Sequence, residues 1–267
     1  MKRWVAIAAC IALGSAARTP APALAAEPFA LRAGREVRLL AGGGLLAATG
    51  LVIQHDREPL DAAQLARLDA QDINAFDRGA TTRWSAGAAG ASDALVTALL
   101  IAPAGLAAAG RFADARAVPL VMFAETLLLT DGVTQLLKGT VARARPYAYN
   151  DDPAIPPDSR LAVDARRSFP SSHAAHAFAA AVFLGRVHDA YRPQSRARAW
   201  VWAGALGAAA TTATLRCAAG QHFTTDVMAG AAIGAAAGWA VPALHRACGS
   251  GRVTLAIGRT VAVSVRF

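Results

Sequence analysis

The sequence predicts an all-α protein: a bundle of about six apolar helices that forms a multi-pass membrane protein and ends in a small C-terminal β-hairpin. Apolar residues make up 55% of the 267 residues and charged residues 17%, a balance more hydrophobic than that of an average soluble domain. Six Ala- and Leu-rich segments recur without the period-two alternation typical of strands. Only residues 252–267 switch to alternating β-branched residues, around Gly258-Arg259, which indicates a hairpin.

The N-terminus has the features of an exported protein. Residues 1–3 are basic at positions 2 and 3, residues 4–17 form an apolar run, and residues 23–25 match the small-x-small pattern of a cleavage site. We therefore expect residues 1–25 to be a signal peptide or an N-terminal anchor.

The six apolar segments together form a helical domain that we place at residues 36–248. They lie at about Leu39–Ile53, Ala94–Ala109, Val118–Leu137, Ala174–Gly185, Ala199–Leu215 and Val227–Leu244. Several approach the roughly 20 residues that span a bilayer, whereas three are short enough to be core helices of a water-soluble bundle. A soluble bundle therefore stays as the alternative.

Loop charge orients the membrane version of this bundle. Residues 186–198 are basic and residues 54–92 carry an acidic excess, so the positive-inside rule places the first loop in the cytoplasm. The loops at 138–170 and 216–226 then share the opposite face. A cleaved signal peptide followed by three spanning segments would contradict this, unless the N-terminal segment is retained, the first apolar segment does not span, or the whole bundle lies in the periplasm. We expect a cell-envelope protein, either in the inner membrane with its site facing the periplasm or soluble in the periplasm.

The net charge of +9 suits an anionic partner such as a phosphate ester or an anionic lipid. The basic residues are scattered through short loops without a basic stripe, which argues against nucleic acid. Cys10, Cys217 and Cys248 are too few and too far apart for a disulfide framework or a zinc site. We expect no metal and no other cofactor.

A first cluster of charged residues follows the third apolar segment. Pro146 disfavours helix at the preceding residue, so the helix is expected to end at Arg145. Lys138 and Arg145 would then lie about two turns apart on one side of the helix. The ammonium group of the lysine and the planar guanidinium of the arginine together suit a phosphate group. Asp131, seven residues before Lys138 on the same face of the helix, is expected to support this pair of basic residues. Interfacial basic residues at the end of a spanning helix are the plain alternative.

A second cluster opens the fourth apolar segment. Ser171 is a natural N-cap, and the free N–H groups of a helix start bind anions. His173, in the first turn, is placed to donate a proton to an ester oxygen. The alternative is an ordinary cap with a surface histidine.

A third cluster lies between the fifth and sixth segments. Asp226 follows His222 by four residues, so on a helix its carboxylate would accept the imidazole Nδ1–H and leave Nε2 free as a nucleophile. Arg216, six residues before His222, adds a cation. The alternative is a capping aspartate with an incidental histidine.

The three clusters together resemble a known signature. The pattern Lys-x6-Arg-Pro, then Pro-Ser-x-His, then Arg-x5-His-x3-Asp is similar to that of the type 2 phosphatidic acid phosphatase and vanadium haloperoxidase superfamily, and the resemblance covers about residues 118–244. It implies that the following residues bind phosphate: Lys138, Arg145, Ser171, Ser172 and Arg216. It also implies that His222 forms a phosphohistidine, that His173 protonates the leaving alcohol, and that Asp226 stabilises the imidazolium.

The sequence departs from the family pattern at two positions. Ser172 stands where the family usually has glycine, which narrows the pocket or adds a hydroxyl donor. Leu215 replaces the usual serine before Arg216, which removes a supporting hydrogen bond.

The resemblance implies a metal-independent phosphatase that acts on phosphate monoesters or diphosphates, with lipid phosphates favoured by the apolar helices. A soluble broad-specificity acid phosphatase uses the same residues. The third possibility is a vanadium-dependent haloperoxidase. Vanadate is expected as an inhibitor in the first two cases and as the cofactor, coordinated by His222, in the third.

Overall fold

The computed structural model of the chain describes residues 27–108, 117–247, 253–257 and 261–265, so the predicted signal peptide or anchor lies outside the described residues. Residues Pro28–Arg246 form one compact helical unit. Nine α-helices occur among the described residues, where about six were predicted. They are α1 (Ala33–His55), α2 (Ala62–Leu65), α3 (Ala75–Arg78), α4 (Ala86–Ala108), α5 (Ala117–Val141), α6 (Pro157–Arg160), α7 (Ser172–Tyr191), α8 (Arg198–Ala218) and α9 (Thr224–Leu244).

The six long helices coincide with the six predicted segments, and the three additional ones have four residues each. Two of these single turns begin at a capping side chain. Asp61 accepts a hydrogen bond from the Gln64 N–H before α2, and Asn74 accepts one from the Asp77 N–H before α3. Turns this short in polar loops carry no hydrophobic period, which is why the sequence pattern missed them.

Helices α1 and α5 run parallel and approach through glycines. A Cβ at Gly43 would contact the Leu128 backbone, and one at Gly50 would overlap the Gln135 backbone. On the facing helix, a Cβ at Gly132 would overlap the carbonyl oxygen of Gly43. Small residues on both surfaces allow this close backbone approach, as they do in helix pairs within membranes.

Helices α7 and α9 form a second parallel pair, with a stripe of glycines on α9. Gly230, Gly234 and Gly238 lie four residues apart, and a Cβ at Gly234 would overlap the Ala175 carbonyl oxygen. Alanines fill the buried face of α7. The backbone of α7 therefore packs directly on α9, which fixes the relative positions of the second and third motifs.

The helix of the third apolar segment, α5, ends earlier than the position of Pro146 led us to expect. Helix α5 stops at Val141, and Ala142 adopts a φ of 48° in the left-handed region. Such a residue commonly ends a helix because it turns the chain out of the hydrogen-bonding pattern. Arg145 is therefore not on the helix that carries Lys138. It precedes a short 3-10 turn at Pro146–Tyr149.

Four helical segments are long and apolar enough to cross a membrane, namely Ala33–His55, Ala86–Pro103, Ala117–Tyr149 and Thr224–Leu244. Large apolar side chains on the surface of α1 agree with this, since Leu45 is 69% exposed. These features support association with a membrane.

The described residues 253–257 and 261–265 belong to a second unit. Within it, β1 (Val253–Ile257) pairs antiparallel with β2 (Val261–Val265), and Leu255 lies opposite Val263. The helical unit is the part that defines the all-α fold class.

Candidate active site

A small polar cavity lies where the three motifs meet, at the end of the bundle that holds the C-terminus of α5 and the N-terminus of α7. Its volume is about 190 Å³. Its charged lining consists of Lys138, Arg145, Asp164, Arg167 and Arg216. The remaining lining consists of His173, His222, Ser172, Gln54 and Gln135. Four positive side chains against one carboxylate make this cavity suited to an anion.

His222 is 1% exposed and oriented by the backbone. Its Nδ1 lies 2.7 Å from the Ser168 carbonyl oxygen, so Nδ1 carries the proton and donates it there. Its Nε2 is left unprotonated, 3.4 Å from the Nη1 atom of Arg145. Burial, reinforced by the positive charges of Arg145, Lys138 and Arg216, holds the pKa of His222 well below its usual range. The imidazole is therefore neutral at neutral pH, with a free electron pair on Nε2.

Asp226 does not accept the Nδ1–H of His222 as the sequence suggested, because its Oδ2 lies 3.9 Å from Nδ1. That oxygen instead accepts from the Ser168 hydroxyl at 2.5 Å and from the Phe223 N–H at 2.9 Å. The backbone acceptor is closer to the imidazole than the carboxylate. Asp226 thus orients His222 indirectly, by holding Ser168.

Arg143, which the sequence motifs did not single out, connects two parts of this arrangement. Its Nη1 donates to Asp226 Oδ1 at 2.7 Å and its Nη2 to Asp77 Oδ2 at 2.9 Å. Burial alone would raise the pKa of Asp77, but hydrogen bonds from Thr225 and Arg143 lower it below its ordinary value. The guanidinium thus joins the loop containing α3 to the start of α9. Its only sequence signal was an arginine inside the Lys-x6-Arg spacer.

The three predicted cations all reach the cavity. Lys138 Nζ donates to the Arg167 carbonyl oxygen at 2.7 Å, and Arg145 pairs with Asp164 at 2.9 Å. Arg216 lies 3.4 Å from Asp93. Each side chain is buried by the loops around it, so the charges are held in place before a ligand arrives.

His173 lies in the first turn of α7, as predicted, and its Nε2 is 2.7 Å from Asp93 Oδ1. Burial and the nearby Arg216 lower the pKa of His173 to about 4, although the carboxylate of Asp93 acts in the opposite direction. Asp93, on α4, was not predicted as a site residue. It contacts both the proposed acid and one of the phosphate-binding cations.

The two serines of the second motif have different environments. Ser171 caps α7 through its hydroxyl, which accepts from the Ala174 N–H at 3.4 Å, and its side chain does not line the cavity. Ser172 does line the cavity. Its Oγ is shielded from solvent and has no hydrogen-bond partner among the described residues. The hydroxyl that faces a ligand therefore belongs to Ser172, and Ser171 shapes the helix start.

Asp131 contacts Gln135, whose Nε2 donates to its Oδ1 at 3.1 Å. It lies 4.0 Å from His176. Lys138 donates to a backbone carbonyl rather than to the carboxylate of Asp131, so Asp131 does not support the basic pair directly. Asp131 instead holds Gln135, which lines the cavity.

Gln54, Asp164 and Arg167 complete the lining, and no motif marked them. Gln54 lies in the last turn of α1, and Asp164 and Arg167 lie in the loop between α5 and α7. Their only sequence signal was that the segments at 54–92 and 138–170 were expected on the same face as the motifs.

Comparison with known proteins agrees with these motifs. The family model described as the PAP2 superfamily matches residues 119–250, a stretch that contains all three clusters. No curated protein and no solved structure matches the chain. Residues 119–250, just under half of the chain, match the PAP2 superfamily, that of the type 2 phosphatidic acid phosphatases, which indicates a phosphoric ester hydrolase.

Proposed function

We propose that this chain hydrolyses phosphate monoesters or diphosphates of lipids through a covalent phosphohistidine on His222. One observation carries the proposal: His222 is buried and neutral, and its unprotonated Nε2 faces a cavity lined by Lys138, Arg145 and Arg216. A neutral imidazole is a nucleophile, and the surrounding cations attract the phosphoryl group that it would attack.

The first step is the attack of His222 Nε2 on phosphorus, which forms a P–N bond and breaks the P–O bond to the leaving group. The hydrogen bond that His222 Nδ1–H donates to the Ser168 carbonyl oxygen fixes the imidazole ring and its tautomer during this step. Positive charge develops on the imidazole, and Asp226, 3.9 Å from Nδ1, stabilises it electrostatically.

Lys138, Arg145 and Arg216 would neutralise the equatorial oxygens of the phosphoryl group. Fixed cations in a partly dehydrated cavity stabilise such charge more strongly than solvent does. In this proposal the protein needs no metal for catalysis, because these side chains supply the positive charge.

His173 supplies the proton that the leaving oxygen requires. In the second step water attacks the phosphohistidine, the P–N bond breaks, and His173 takes a proton from the water. Asp93 Oδ1 lies 2.7 Å from Nε2 of His173. The leaving oxygen of the ester would take the place of this carboxylate oxygen.

Lipid phosphates are the favoured substrates because four helical segments are apolar enough to cross a membrane. A lipid in the same bilayer would reach the end of the bundle by lateral diffusion. A site that faces the periplasm remains a prediction from loop charge.

The test measures phosphate release from lipid and soluble phosphate esters, with and without EDTA and vanadate. His222→Ala is expected to lower kcat at least about 10³-fold, because the nucleophile is lost. The matched control is His188→Ala, a change on α7 at the far end from the cavity, which should leave kcat within about twofold of the wild type. Vanadate should inhibit and EDTA should not.

Full activity of His222→Ala would exclude the phosphohistidine mechanism. Activity on soluble esters alone would replace the lipid phosphatase by a broad-specificity phosphatase. Halide oxidation with vanadate and peroxide, without phosphate release, would move the chain to the haloperoxidase branch.

A further inference from the structure

A buried cluster of titratable side chains lies at the end of the bundle opposite the cavity. It contains Glu36 in the first turn of α1, Glu125 on α5 and His245 directly after α9. Glu125 precedes Lys138 by thirteen residues, so about 20 Å of helix separates this cluster from the phosphate site. The proposed phosphatase chemistry does not use it.

The donor atoms of the three side chains converge. His245 Nε2 lies 3.1 Å from Glu36 Oε1 and 3.0 Å from Glu125 Oε2. One ligand atom from each residue lies within 4.8 Å of the other two. Ligands around a tetrahedral zinc ion, bound at about 2.0–2.1 Å, are separated by about 3.4 Å, so a small outward movement would produce metal geometry.

The cluster holds polar atoms that the protein leaves unsatisfied. Glu125 and His245 are both 0% exposed. Neither carboxylate oxygen of Glu125 nor Nε2 of His245 has a hydrogen-bond partner of acceptable geometry among the described residues. Apart from the His245 imidazole 3.0 Å away, the Glu125 carboxylate has no partner among the described residues. Burying a carboxylate in this way is costly, and a cation between these atoms would remove that cost.

The surroundings resemble the outer shell of a metal site. His245 Nδ1 donates to the Val241 carbonyl oxygen at 2.8 Å, which directs the lone pair of Nε2 towards the two carboxylates. Glu36 Oε1, the oxygen that faces His245, also accepts from the Arg35 guanidinium at 2.6 Å, and Oε2 accepts from the Arg32 N–H at 2.7 Å. Metal-binding histidines and carboxylates are usually oriented by such hydrogen bonds.

We propose that Glu36, Glu125 and His245 bind a divalent first-row transition metal ion of the Zn²⁺ class. One imidazole nitrogen and two carboxylate oxygens suit zinc or manganese better than magnesium, which prefers oxygen ligands and retains its water. The ion would join α1 to α5 and α9, three helices that are distant in sequence. Its role is structural, since it is remote from the phosphate cavity.

The test uses the full-length protein, purified in detergent, stripped with EDTA and dialysed against Zn²⁺, Mn²⁺ or Mg²⁺ before its metal content is measured. We expect about one zinc ion per chain, and a Tm several degrees higher with zinc than with EDTA. Glu125→Gln and His245→Gln should each lower the bound zinc at least about tenfold. Glu58→Gln and His55→Gln change exposed residues outside the cluster and serve as matched controls, which should retain it.

Bound zinc below about a tenth of an ion per chain in the wild type would overturn the proposal, whether or not the variants fold. A zinc content that is unchanged in Glu125→Gln would also overturn it. A cluster held together by a shared proton would show a Tm that depends on pH and not on zinc, which is a third contrary result. These readouts are independent of phosphate release, so they succeed or fail separately from the proposed phosphatase function.

Discussion

The carboxylate of Asp93 is bound to the proton-donating nitrogen of His173 and lies near Arg216. His173 can act as an acid only while it is protonated, and its pKa of about 4 means that the protonated fraction falls as the pH rises through that value. The negative charge of Asp93 opposes this loss. Asp93 is therefore a positioning residue that sets the pH range of the proposed acid.

Replacing Asp93 by Asn should move the descending limb of the pH profile to lower pH by about one unit, because the neutral amide no longer stabilises the imidazolium. The measurement is kcat/KM against pH with an alkyl phosphate, whose leaving group needs a proton. With p-nitrophenyl phosphate, whose leaving group needs no proton, the pH profile of kcat/KM should shift less.

Asp151→Asn is the control for this change, since that side chain is fully exposed. Superimposable profiles for wild type and Asp93→Asn with the alkyl ester would show that Asp93 has no influence on the acid.

Ser172 differs from the family's usual glycine by a hydroxymethyl group, and its hydroxyl lines the cavity. A hydrogen bond to a charged acceptor contributes about 1.5–3 kcal/mol, so Ser172→Ala should raise the inhibition constant of vanadate about 10- to 100-fold. Ser195→Ala, at the other end of the bundle, should leave the constant unchanged. An unaltered constant in Ser172→Ala would mean that the hydroxyl does not bind the anion.

The sequence identified three of the four cations that line the cavity and both of its histidines, but not Arg167 and not all of their partners. Lys138, Arg145, Arg216 and His222, which the motif spacing singled out, all line the cavity, and their roles in phosphate binding and catalysis stay predictions. The acceptor for His222 could not be predicted, because the backbone carbonyl of Ser168 has no residue-specific signal.

Among the helices, the contact between α7 and α9 determines how the second and third motifs meet. A Cβ at Gly234 would overlap the Ala175 carbonyl oxygen, and helix backbone has little room to move. We expect Gly234→Ala to destabilise the fold by at least about 2 kcal/mol, measured by chemical denaturation, and to lower kcat because His173 and His222 move apart.

Gly207→Ala on α8 is the matched control, because a Cβ there meets nothing within 4 Å. It should raise stability by about 0.5–1 kcal/mol through helix propensity alone. A neutral or stabilising effect of Gly234→Ala would contradict the close packing of α7 on α9.

The sequence predicted the long helices well and their ends less well. The predicted segment Ala174–Gly185 extends to Tyr191 in α7, because charged residues continue the helix beyond the apolar run. Conversely, Arg145 was predicted at the end of α5, which stops at Val141. A left-handed alanine at position 142 has no recognisable pattern, since glycine is the usual residue there.

Over the whole helical unit, successive long helices alternate in direction, so that all three motifs lie at one end. The C-terminal ends of α1, α5 and α8 and the N-terminal ends of α4, α7 and α9 surround the cavity. The sequence predicted this shared face from loop charge. It could not predict which helices pair, because the parallel contacts of α1 with α5 and of α7 with α9 depend on glycines that occur throughout the chain.

The small volume of the cavity has a consequence for selectivity. Pockets that enclose a drug-sized molecule have roughly 300–1,000 Å³, whereas this cavity of about 190 Å³ has room for the phosphoryl group and little else. The alcohol of an ester would stay outside, where it adds little contact energy. The fit of the lipid in the cavity would then contribute little to discrimination among lipids. The surface density of each lipid around the protein, and the depth at which its phosphate lies in the bilayer, would contribute more.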